Sequence, residues 1–110
     1  MAYRFVRARP KWGRLSELWE RLQSGDIQKM EPFGESMARA LHDARVDTDT
    51  GKAVWIEEDY CTPPLAMERS AVLDDYFEEL EVVDGDVDET AGWNRIDHLP
   101  SMWDRIEADG

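Results

Sequence analysis

The sequence predicts an α+β fold: a small two-layer sandwich of about three strands with helices packed on one face, in the order β-α-α-β-α-β-α. Three observations carry that expectation. Alternating and helical apolar periods take turns along the chain. Turn and breaker residues punctuate them at Pro10, Gly25, Pro32, Asp47–Gly51 and Asp84-Gly85. At 110 residues and 42% hydrophobic, with five Trp, the chain makes a single domain with apolar mass for a modest core.

The elements follow in order. Tyr3–Ala8 reads as a strand, with Tyr3, Phe5 and Arg7 on one face and Arg4, Val6 and Ala8 on the other. Leu15, Leu18, Trp19 and Leu22 recur at i, i+3, i+4 and i+7, a helical stripe that Gly25 closes as a left-handed C-cap. Glu17 and Arg21 stand four apart in the favourable order. After a connector over Ile27–Phe33, a second helix is expected from Glu35 to Ala44, its apolar face marked by Met37, Leu41 and Ala44. Asp47–Gly51 is turn chemistry, and Ala53–Glu58 is a second strand. Thr62-Pro63-Pro64 opens a third helix with the stripe Leu65, Val72, Tyr76 and Leu80. A third strand spans Leu80–Val83, and a short last helix starts at Pro100 with Met102, Trp103 and Ile106. Residues 84–92 read as a mobile acidic loop within the single domain 1–110, and the tail after 106 reads as ragged.

Charge is unevenly divided. Arg4, Arg7, Arg9, Lys11 and Arg14 give the first sixteen residues five positive charges and no acid, yet the whole chain has a formal net charge of −12. Asp74–Glu89 carries nine acids and no base. With 13 Asp and 12 Glu, and 10 Arg against 3 Lys, the composition resembles that of proteins from salt-loving archaea. Crowded carboxylates repel and loosen the compact state at low salt. Molar salt cuts the Debye length to about 3 Å and removes most of that repulsion, so the fold is expected to need salt. The lone cysteine excludes an internal disulfide and the common zinc ribbons. No apolar run approaches a membrane span, and no apolar region follows the basic start as in a secretory signal. The chain therefore reads as a cytoplasmic protein with no cofactor.

Four groups of residues are candidates for function. Tyr3, Arg4, Phe5, Arg7, Arg9, Lys11 and Trp12 interleave cations with aromatics, as a surface for single-stranded RNA would. The competing reading places Tyr3 and Phe5 in the core and pairs the arginines with the acidic helices of the same molecule. Cys61 follows a strand and precedes a helix, where a thiol can be activated. Three carboxylates immediately upstream disfavour a thiolate, and no spacing brings His42 or His98 to it as a base. Asp84, Asp86, Asp88 and Glu89 form a loose trap for hydrated cations, whereas the twelve-residue match of Asp47–Glu58 to an EF-hand fails at its fifth and sixth positions, so no metal centre is expected. Finally, Trp93, Leu99, Met102, Trp103 and Ile106 give a C-terminal stretch in which Leu99, Trp103 and Ile106 share one helical face, the anchor spacing of a segment that docks in a partner's groove. The same residues would serve as a lid on a three-stranded core. With no catalytic constellation legible, the chain reads as a non-catalytic interaction or accessory module, a monomer or a homodimer joined at a free strand edge. RNA binding is the first alternative and a Cys61 enzyme the second.

Overall fold

Alternation in the N-terminal strand organises the molecule. The computed structural model describes residues 2–59 and 65–104. Strand β1 (Ala2–Pro10) lies inside a four-stranded antiparallel sheet with β2 (Arg45–Asp47), β3 (Lys52–Asp59) and β4 (Phe77–Val87), in the order β2-β3-β1-β4. Its register with β3 sets Tyr3 beside Glu58, Phe5 beside Ile56, Val6 beside Trp55 and Arg7 beside Val54. Val6, Ala8, Ala53 and Trp55 thereby enter the main core, while Phe5, Val54 and Ile56 form a smaller core on the opposite face.

The main core lies under three helical segments. Helix α1 (Leu15–Ser24) buries Leu15, Leu18 and Leu22 and ends at Gly25, whose φ of 84° is the predicted left-handed cap. Helix α2 (Gly34–His42) buries Met37, Ala38 and Leu41. Its start tolerates only glycine, because a Cβ on Gly34 would stand 2.4 Å from the Ile27 carbonyl oxygen. The helical run 66–76, α3, passes through a π-helical stretch at Arg69–Leu73 and buries Val72, Leu73 and Tyr76. At the centre of the sheet, Trp55 is fully buried and its ring packs 4.9 Å from that of Phe77.

The α+β class is as expected, and four local differences have identifiable causes. First, α3 stops at Tyr76 rather than at Leu80. The Lys11 N–H donates to the Tyr76 carbonyl (2.8 Å) and Phe77 pairs with Pro10, so β1 captures the chain into β4. Second, a fourth strand, β2, forms a hairpin with β3 around the predicted turn. Asp47 accepts from the Asp49 N–H at 2.9 Å, and Gly51 takes φ 75°. Three residues with one apolar side chain show no alternation to read. Third, the acidic stretch is regular structure. Asp84–Val87 completes β4, and the Asp88 carboxylate caps helix α4 (Glu89–Ile96) by accepting from the Ala91 N–H at 2.9 Å. Fourth, α4 lies on the second face of the sheet, and residues 100–103 run beside β2 instead of starting a helix. Val46 donates to the Pro100 carbonyl and Met102 to that of Ala44, each at 2.9 Å. The tail after 106 lies outside the described residues.

Both sheet edges are blunted. The segment 100–103 covers β2. Strand β4 gains an extra residue at each of three register shifts against β1, holds Glu79 at φ 54°, and presents a row of acids. Bulges and like charges oppose edge-to-edge pairing. No helix among the described residues is long and apolar enough to cross a membrane.

Helix α4 approaches the sheet through Gly92. A Cβ there would stand 2.8 Å from Ile56 Cδ1 and 3.0 Å from its Cγ1. Gly92→Leu is therefore expected to lift α4 and lower stability by about 2 kcal/mol, read from urea unfolding. A variant as stable as the wild type would show that α4 adds nothing to the second core.

Candidate functional site

The basic N-terminus is engaged by the acidic half of the chain. Arg4 Nε meets Asp59 Oδ2 at 2.8 Å, and its Nη1 donates to the Gly85 carbonyl. Arg7 pairs with Glu81 at 2.7 Å and Arg9 with Glu79 at 2.9 Å, binding β4 to β1. The Arg9 contact holds the Glu79 carboxyl below its ordinary range. Lys11 Nζ and Arg14 Nη1 donate to the carbonyls of Asp74 and Asp75 at 3.0 and 2.9 Å, where the last turn of α3 exposes its acceptors. The expected Glu17–Arg21 pair is replaced: Glu17 accepts from Arg14 and the Tyr76 hydroxyl, while Arg21 meets Asp26 at 2.7 Å. The Tyr76 hydroxyl is the leading cause that lowers the Glu17 carboxyl, followed by Arg14. Phe5 is buried, and Tyr3 and Trp12 are partly covered.

Cys61 and Ile106 lie outside the described residues. Next to Cys61 in sequence, the structure gathers three buried acids, Glu57, Asp59 and Glu68. Asp59 accepts from Arg4 and from the Leu65 N–H (3.1 Å), tying the start of α3 to β3. Glu57 Oε1 accepts from Trp55 Nε1 at 2.7 Å, while its Oε2 is buried with no hydrogen-bond partner among the described residues. Burial pushes the Glu57 carboxyl up to about 8; the Trp55 bond opposes this, and the nearby Glu68 and Asp59 add to it. Glu57 is 1% exposed, and the penalty for ionising it there bears on stability.

The acids read as a cation trap have separate tasks. Asp84 accepts from the Asp86 N–H, Asp88 caps α4, and Glu89 opens that helix. Among the described residues, no three His, Cys, Asp or Glu side chains come together as a metal site.

The C-terminal anchors divide. Met102 and Trp103 are core residues, Trp103 donating its indole N–H to the Leu41 carbonyl at 2.8 Å. Trp93 and Leu99 are only partly buried, and each lines a hollow at one end of α4. The Leu99 hollow is an open groove of about 440 Å³, bordered by Phe5, Arg7, Val54, Arg95 and His98. Arg95 covers Phe5 there, its guanidinium 4.6 Å from the ring centroid. The Trp93 hollow, about 50 Å³, joins two surfaces that the sequence kept apart: Tyr3 from β1 and Trp93 from α4. Glu58 enters it because it is Tyr3's neighbour on β3, and Ser36 donates to Glu58 at 3.0 Å. Ser36, Arg39, Ala40 and Asp43 complete the wall from one face of α2. Their i, i+3, i+4, i+7 spacing was a readable signal, a stripe of Ser36, Arg39 and Asp43 with the buried Ala40 at the border of the apolar face. The pairing of Tyr3 with Glu58 was not readable, because register is a tertiary property.

No protein-family model, no curated protein and no solved structure matches this chain.

Proposed function

We propose that this protein is a small non-catalytic interaction module of a salt-rich cytoplasm, meeting a partner protein through the second face of its sheet. One observation carries the reading: Trp93 within α4 and Leu99 just beyond its C-terminal end stay partly exposed, and each borders a hollow, while the remaining described anchors are buried. Aromatic side chains beside pockets are where binding energy concentrates. The acid-rich surface fits a high-salt host. Single-stranded RNA is the weaker reading, because Arg4, Arg7 and Arg9 each meet an acid of this chain.

The test is affinity capture from host lysate at the host's own salt, with wild type and the double variant Trp93→Ala/Leu99→Ser in parallel. Eluates are examined for protein and nucleic acid, and far-UV circular dichroism checks both folds. A stoichiometric protein held by the wild type and lost from the folded variant is the expected result. A clean eluate, nucleic acid alone, or undiminished capture by the variant overturns the proposal.

A further inference from the structure

We propose that the hollow between Tyr3 and Trp93 receives a lysine side chain of the partner protein, an assignment that rests on the interaction reading above. Two aromatic side chains and three carboxylates line it: Tyr3 from β1, Trp93 and Glu89 from α4, Glu58 from β3 and Asp43 from the C-terminal end of α2. Aromatic faces attract a cation through their negative quadrupole, and carboxylates supply its hydrogen-bond acceptors. The negative end of the α2 dipole adds to the same potential at Asp43. Arg39 is the single cation among the described lining residues and opposes three acids. Two of those acids keep internal contacts, Glu58 with the Ser36 hydroxyl and Asp43 with His42 Nδ1 at 3.1 Å. Ionised oxygens accept several bonds each, so an incoming ammonium shares them. At about 50 Å³ the hollow suits the compact ammonium of lysine better than the broad planar guanidinium of arginine.

The experiment follows the Trp93 indole N–H by NMR while acetyl-Gly-Lys-Gly-amide is added, at one fixed salt concentration that keeps the protein folded. A saturable shift is expected with this peptide and none with its norleucine analogue, which keeps the aliphatic stem and lacks the charge. Glu89→Gln should weaken binding about fivefold, and Arg39→Ala should strengthen it by a similar factor. No saturable shift, an equal shift with norleucine, or weaker binding by Arg39→Ala overturns the assignment. A shift with spermidine but not with the peptide also overturns it, because the site would then serve a free polyamine. The two failures are distinguishable. Partner capture that depends on Trp93 and Leu99, with a silent peptide titration, removes the lysine site alone. A peptide shift without such capture removes the partner protein and so overturns the assignment to a partner's lysine as well, leaving only a hollow that binds a lysine side chain.

Discussion

Arg4→Ala is expected to lower the unfolding free energy by about 3 kcal/mol, against less than about 1 kcal/mol for Arg7→Ala or Arg9→Ala. The three arginines alternate with apolar residues of one strand and all meet acids, so composition alone ranks them equally. Burial separates them. The Arg7–Glu81 and Arg9–Glu79 pairs are exposed on both sides, where water and salt screen the attraction. Asp59, by contrast, has a side chain only 2% exposed, and Arg4 is its charge partner on β1. Removing Arg4 leaves a desolvated carboxylate and also frees the Gly85 carbonyl that Arg4 bonds in β4. Urea unfolding of the three single variants measures the contrast. Adding Asp59→Asn to Arg4→Ala should recover part of the loss, because the buried charge that Arg4 balanced is gone while an oxygen remains to accept from the Leu65 N–H. Equal losses for all three arginines, or no recovery in the double variant, would remove Asp59 as the cause.

Glu57 gives the second large effect, with the opposite sign from a paired surface acid. Its carboxyl ionises near its ordinary value in the unfolded chain but only near 8 in the folded one, chiefly because it is buried. Between those two values the folded state binds the extra proton, so stability falls as pH rises. The loss begins above the unfolded value and is complete once pH passes the folded one. From pH 6 to pH 9, Glu57 should cost the fold about 3 kcal/mol relative to Glu57→Gln, which keeps an acceptor for Trp55 Nε1 and has nothing to ionise. The comparison is made at constant salt, since every other acid is common to both proteins. Parallel stability curves for the two proteins across that range would show that Glu57 ionises without penalty.

Whatever depends on neighbours along the chain was legible in the order of the amino acids. The 3.6-residue stripe of Leu15, Leu18 and Leu22, the left-handed Gly25 and the alternation of Tyr3, Phe5 and Arg7 against Arg4, Val6 and Ala8 are all present as read. Local periodicity encodes them, and tertiary contacts had only to agree. That the basic N-terminus would pair within the chain was legible from opposite charges in one small domain, but the acids expected on helices stand on strands: Asp59 on β3, Glu79 and Glu81 on β4. Only the tertiary structure decided which acid met which base, and that Asp59 and Glu57 would be buried where Glu79 and Glu81 are wet. It also decided that β1 would end α3 at Tyr76, that Trp103 would be core while Trp93 reached the surface, and that Tyr3 and Trp93 would border one hollow. Each of these depends on sheet register and on the face a helix covers. Both are set by packing between segments tens of residues apart, which leaves no period in the sequence to read.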